Sequence, residues 1–381
     1  MTRRRAALAL ASLAAAGCGS PNPRPPEAAR RAKILLRCGW QAGRFGDIAQ
    51  TMGILRQLTE SLPKVEVVLW PGALDAGARE RIARVFPRVR IAAALEPADV
   101  LVHGSAAGLP GAESLEEWRR QTDKPYGIFG VSLAARLDAR AVELLNGAAF
   151  VFARESASLA HLRRVAPRAR RTGLAPDAAF SVKLSNESAA RALFQRGRLA
   201  SKQFLAVAPD PRTAPDDAAK LRDAIERWVR DTRYKVLLCP EVEGPAATLE
   251  ALLYDPLPAP VKARVARRGA PWLPDEACSV FRRAVAVVGG GYFSPILAAA
   301  NNTPFLYLPP PGEDHAGRIW QDIGLSGWFL EMAKAGGAEI ARTLMDIHRN
   351  YSTAQVMVHE AVIYARKLQA DAVGQALAPL L

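Results

Sequence analysis

The chain has 381 residues, half of them hydrophobic and 23% charged, which excludes a disordered or fibrous protein and supplies enough length for about two globular domains. Its formal charge is +14, from 51 basic and 37 acidic residues; residues 1–31 hold six arginines and one glutamate, a local +5, leaving +9 for the body. The body's basic residues fall as pairs on helical stretches (Arg119 and Arg120, Arg163 and Arg164, Arg267 and Arg268, Arg282 and Arg283) with no aromatic interleaving, which reads as solvated faces and argues against a nucleic-acid partner.

Residues 1–18 combine a charged start, a short apolar core and small residues before Cys18, the pattern of a secretory signal too short to span a membrane. Ala15-Ala16-Gly17-Cys18 resembles a bacterial lipobox, with Ala15 where leucine is usual, so Cys18 is the expected lipidation site; Thr2-Arg3-Arg4 resembles a twin-arginine start. Residues 19–32 form a proline-rich tether. The expectation is a lipoprotein held at the periplasmic side of the cell envelope, or a cytoplasmic protein where the signal stays uncleaved. Cys38, Cys239 and Cys278 lie at no metal spacing from one another or from a histidine, so no metal site is expected, and Cys38 and Cys239 end apolar runs as core thiols.

The N-terminal α/β domain is expected over 33–185. Lys33–Cys38 reads as a strand, followed by a helix from about Asp47 with Ile48, Met52, Leu55, Leu58 and Leu62 on its core face. Between them, Gly43 and Gly46 permit a tight turn, and Asp47 is placed to cap the helix. Val65–Trp70, Val100–His103 and Tyr126–Val131 read as strands alternating with helices over Ala73–Phe86, Glu113–Thr122 and Leu137–Asn146, which argues for a parallel sheet. His103 ends its strand and reads as structural. Phe150–Ala153 is a further strand, so Arg154 falls at its carboxyl end, where open α/β sheets bind ligands. Ser156 and Ser158 lie in the first turn of the next helix, where backbone N–H groups and hydroxyls suit a carboxylate or phosphate.

A second α/β domain is expected over 200–352. A helix over Glu187–Gln195 lies in the joining segment. Strands over Phe204–Pro209 and Tyr234–Pro240 flank a helix over Asp216–Asp231, and a helix over Pro274–Ala284 follows with Asp275 as its expected cap. Val285–Pro311 then runs from a buried strand through Gly289, Gly290 and Gly291 to Tyr292 and a helix from about Ser294, again a junction suited to an anion or nucleotide. A strand over Phe305–Leu308, a short helix over Asp314–Ile323 and a helix over Ala338–Asn350 complete it. The last segment, 353–381, is a helix whose Met357, Val362, Ala365, Leu368 and Val373 read as core.

The stretch Arg154-x-Ser156-x-Ser158-Leu159, followed by the turn Pro176-Asp177-x-x-Phe180, resembles the polysaccharide pyruvyl transferase family. The resemblance implies two Rossmann-like domains of mostly parallel sheet in a GT-B-like arrangement. It also implies transfer of a pyruvyl group from phosphoenolpyruvate to a sugar of a cell-surface glycan such as an exopolysaccharide, with no cofactor beyond that donor. It gives Arg154 the donor's carboxylate or phosphate and gives Gly46 and Asp47 the shaping of the cleft. Gly46, Asp47 and Thr51 also resemble the start of heptosyltransferase-type enzymes. The family's carboxy-terminal Arg-x-His falls on Gly291 and Phe293, so both charged groups are missing, and His315 and Arg318 are the expected substitutes beside Gly290, Gly291, Tyr292 and Ser294. Two other readings follow from the same residues: a GT-B glycosyltransferase using a nucleotide sugar, or a lipid-anchored glycan-binding protein without catalysis.

Overall fold

The structure is a computed structural model and describes residues 31–40, 45–241, 250–268, 273–310 and 314–381, except the side chains of 314–316. The expected signal, Cys18, most of the tether and Gly43 lie outside the described residues. Residues 32–381 form one compact unit.

That unit is built on two parallel sheets. The first uses β1 (Lys33–Cys38), β2 (Glu66–Pro71), β3 (Arg90–Ile91), β4 (Val100–His103), β5 (Ala106–Ala107), β6 (Tyr126–Ser132), β7 (Phe150–Ala153) and β8 (Thr172–Leu174). Their order is β3-β2-β1-β4-β6-β7-β8, with β5 beside β6. The second uses β9 (Phe204–Ala208), β10 (Lys235–Leu238), β11 (Val265–Arg267), β12 (Ala286–Gly289) and β13 (Phe305–Tyr307), in the order β11-β10-β9-β12-β13. Each order reverses beside the sheet's first strand, at β1/β4 and β9/β12, so each sheet has a crevice at its carboxyl edge at that point. Strands buried on both faces by crossover helices need continuous apolar runs, and β4, β7, β9 and β12 are buried throughout. The architecture is α/β as the sequence implies.

Helix ends fall within a few residues of the sequence reading. The helix after β1 runs Phe45–Ser61, the one after β7 Ser156–Val165 and the one after β12 Phe293–Ala300. The short strands β3, β5, β8 and β11 go unread because two or three residues carry no periodicity. The cap assigned to Asp275 moves to Leu273, because Pro274 takes the first helical position and Asp275 instead pairs with Arg81 at 3.1 Å. Nor are all the arginine pairs solvated: Arg268 holds Glu276 at 2.7 Å and Arg283 holds Glu187 at 2.5 Å.

The final helix, Tyr351–Leu377, packs against the first half of the chain. Its Gln369 Nε2 donates to the carbonyls of Asp177 and Pro176 at 2.7 and 3.1 Å, and Arg366 Nε donates to the Phe180 carbonyl at 2.9 Å. Val362, Ala365 and Val373 are buried on it as the spacing predicts, whereas Met357 turns out to solvent. Cys38, Cys239 and Cys278 are buried free thiols, and burial pushes Cys38 and Cys278 up to about 12.

Candidate functional site

Arg154 follows the last residue of β7, which carries its side chain to the carboxyl edge of the first sheet. There it is 6% exposed and donates from Nε to Ser132 Oγ at 2.8 Å and from Nη1 to Asp177 Oδ2 at 2.7 Å. Asp177 is fully buried and also accepts from Gln50 Nε2 at 2.7 Å and, on Oδ1, from the Ala179 N–H at 2.9 Å. The Arg-x-Ser and Pro-Asp turns are therefore one device: the second supplies the carboxylate that makes a buried guanidinium tolerable. Burial opposes the charge on Arg154, but the acidic neighbours Asp177 and Glu155 favour it, and the group is held above the ordinary arginine value.

Tyr292 comes from the second sheet. Its ring lies 5.1 Å from Arg154 Cζ. Burial pushes the Tyr292 phenol well above its ordinary range, so it stays protonated. The loop after β12 thus reaches the ion pair of the first sheet, and its next residue completes the contact. The Phe293 ring lies against Gly46, where a methyl group would overlap it, so the helix from Phe45 carries a glycine there for close approach. Asp47 sits in that helix's first turn, its carbonyl accepting from Thr51 Oγ1 at 2.7 Å.

Each helix amino terminus singled out in the sequence already meets a carboxylate of the chain. Ser156 donates from its backbone N and its Oγ to the two oxygens of Asp322, both at 2.7 Å. Ser158 is turned inward: its Oγ accepts the Leu133 N–H at 2.8 Å and bonds Glu155, which also accepts from Ser132 Oγ at 2.6 Å. At the second terminus Glu241, just beyond β10, accepts the Phe293 N–H on Oε1 at 2.9 Å and lies 3.3 Å from Ser294 Oγ on Oε2. A side chain at Gly291 would begin where that carboxylate stands, and Gly290 lies against the Asp210 backbone. Asp210, after β9, is paired with Arg212 at 2.8 Å.

Glu241 is 4% exposed, and burial pushes its carboxyl up to about 7 despite the Phe293 N–H and Ser294 hydroxyl, with Asp210 adding to the rise. It is a proton donor or acceptor near neutrality at the head of a helix, a combination suited to general acid–base work.

The other expected residues divide. Arg318 is exposed and donates to Gln321 Oε1 at 2.9 Å within its own helix, Asp314–Asp322. The side chain of His315 lies outside the described residues. His103 is fully buried, its Nε2 2.8 Å from the Pro110 carbonyl, its ring stacked 4.5 Å from Trp40, and burial lowers it to about 4. Sequence reasoning passed over Gln50, Ser132, Glu241 and Asp322. An acid directly after a buried strand was a usable signal for Glu241, whereas nothing local marks Asp322 as the partner of Ser156.

No curated protein matches the chain. Solved structures do match it over nearly its full length: a protein of Listeria monocytogenes assigned as a UDP-N-acetylglucosamine 2-epimerase (TM-score 0.65, 10% identity, 92% of this chain and 98% of that one); the UDP-GlcNAc 2-epimerase of Neisseria meningitidis bound to UDP-GlcNAc (0.61, 9%, 91% and 100%); and a UDP-glucosyltransferase of Polygonum tinctorium (0.60, 11%, 93% and 99%). At such identities the likeness is one of fold, and that fold is GT-B. The sequence profile of the polysaccharide pyruvyl transferases matches residues 45–310, which is 266 of 381 residues and spans Gly46, Arg154, Asp177 and Tyr292. The chain belongs to the polysaccharide pyruvyl transferase family.

Proposed function

We propose that this protein transfers the pyruvyl group of phosphoenolpyruvate to a sugar of a cell-surface glycan, with the reaction centred where the carboxyl edges of the two sheets meet. The observation that carries the reading is the convergence of Arg154, Tyr292 and Glu241 on one short turn. Tyr292 lies against Arg154, and the next residue, Phe293, gives its N–H to Glu241. Two nitrogens of Arg154 are committed, which leaves Nη2 for a donor anion, with the N–H and hydroxyl of Ser156, two residues on, as further donors once Asp322 is displaced. In the proposed reaction the Glu241 carboxyl protonates the methylene carbon of the enol. A sugar hydroxyl then attacks the adjacent carbon, a second hydroxyl closes the ketal as phosphate leaves, and the hydroxyl protons restore Glu241 and pass to phosphate.

Asp322 stands in the way. It occupies both donors of Ser156, so a ligand anion takes its place rather than joining it. Titration of the protein with phosphoenolpyruvate tests this. We expect saturable binding, tightened several-fold by Asp322→Asn and weakened by Ser156→Ala. No binding at millimolar ligand to wild type or to Asp322→Asn would overturn the reading.

The same occupancy favours a second reading, a glycan-binding protein that keeps the fold without the chemistry. Its address supports this too: Cys18, once lipidated, anchors the chain at the periplasmic side of the envelope, away from cytoplasmic phosphoenolpyruvate. Binding of glycan without phosphate release from added phosphoenolpyruvate decides for it.

A further inference from the structure

The final helix has an outer face that neither the fold nor the site uses. Val356, Met357, Ile363 and Tyr364 are 55, 41, 53 and 47% exposed, four of the six large hydrophobic side chains exposed to this degree among the described residues. They share one side of the helix with Thr353, Glu360, Lys367, Ala370, Asp371 and Gly374, all exposed. The spacing alternates in steps of three and four, which keeps the stripe straight along a packed helix pair. Glu360 and Lys367 form no hydrogen bond or ion pair among the described residues.

The order of side chains along this stripe fits one partner in particular. Two copies of the helix laid antiparallel about a two-fold axis between Ile363 and Tyr364 place residue 360 opposite 367, 357 opposite 370 and 353 opposite 374. Ile363 and Tyr364 then meet their counterparts at the centre. Glu360 of each copy faces Lys367 of the other, giving two ion pairs, one on either side of the apolar centre, and the bulk of Met357 meets the small Ala370. Val356 faces Asp371, whose carboxylate keeps its water at the rim. A two-fold interface must be self-complementary, and this face is, in charge and in size.

We propose that the protein associates as a two-fold dimer through the outer face of the Tyr351–Leu377 helix, with Glu360 and Lys367 pairing between copies. A single helix pair covers less than the roughly 1,600 Å² of a standard stable interface, so the dimer dissociates on dilution. The helix also grips Asp177 through Gln369, so association stiffens the element that holds the buried ion pair.

Sedimentation velocity of the full chain over a micromolar range tests the proposal. Wild type is expected to pass from monomer to dimer as concentration rises. Glu360→Lys alone or Lys367→Glu alone sets like charges opposite one another twice per dimer and is expected to raise the dissociation constant at least tenfold. The double swap restores the pairs and with them the dimer. Ile363→Asp abolishes association, while thermal melts stay close to wild type because these side chains are exposed. A wild type that stays monomeric across the range overturns the proposal, as does a double swap no better than either single one. A monomer that binds phosphatidylglycerol vesicles through Ile363 would overturn it in favour of a membrane-facing surface.

Discussion

Two helix amino termini face the junction of the sheets, and each is closed by a carboxylate of the chain, yet the two closures differ in kind. Asp322 reaches Ser156 at a partly exposed edge and keeps much of its water. Glu241 lies beneath the Phe293–Ala300 helix, 4% exposed, and its carboxyl has risen to about 7. The helix dipole attracts both equally well. What separates them is desolvation: the partly exposed carboxylate can be exchanged for a ligand, and the buried one holds a proton and can give it away. In the proposed reaction the first terminus therefore binds the donor and the second transfers a proton.

The largest effect is expected at the anchor both termini depend on. Arg154→Ala leaves Asp177 fully buried with its countercharge gone, at a cost of about 3–5 kcal/mol, which chemical denaturation would register as a large drop in midpoint. Asp177→Asn, which keeps the shape and can still accept from Gln50, should cost less. If Arg154→Ala melts like wild type, the ion pair is no anchor, and the two termini are not held by a common element.

Glu241 gives the next effect, and its sign follows from the direction of its shift. A carboxyl with a folded pKa near 7 and an ordinary unfolded value binds more protons in the folded state between those limits. Stability therefore falls as pH rises from about 4.5 to 7, by about 3 kcal/mol. Glu241→Gln should flatten this decline and gain stability over wild type at pH 8, while removing the proposed pyruvyl transfer. Parallel denaturation curves for the two proteins across that range would show that the carboxyl is not desolvated, and the contrast with Asp322 would collapse.

A smaller loss is expected from packing between the halves. Gly46→Ala forces a methyl group into the Phe293 ring, for about 1–3 kcal/mol, and Phe293→Leu should recover part of it by opening the space. Additive losses in the double variant would mean that the two residues do not meet.

The frame was legible because buried parallel strands write themselves as apolar runs: Lys33–Cys38, Val100–His103 and Phe150–Ala153 were placed to the residue. Arg154 and Asp177 were legible as motif positions, and the GT-B fold followed from the family they indicated. Their bond to each other was not, since nothing in a 23-residue separation says that one side chain neutralises the other. Asp322 lies 166 residues from Ser156, and only the chain's passage between the two sheets brings them together. Met357 failed for a different reason: periodicity marks where apolar residues recur, and a helix with apolar residues on two faces gives no sign of which one is inside.

Asp322 should give the smallest change in stability and the clearest change in binding. Removing its carboxylate exposes one backbone N–H and one hydroxyl at a wet helix end, a loss of about 1 kcal/mol at most. The freed donors and the unopposed dipole then favour any small anion, so inorganic phosphate should protect Asp322→Asn against thermal unfolding more than it protects wild type. Glu241→Gln should show no such gain, because the terminus it guards stays buried whether or not the charge is there. Equal phosphate protection of the two variants would mean that exposure does not distinguish the termini, and that Asp322 is a cap and nothing more.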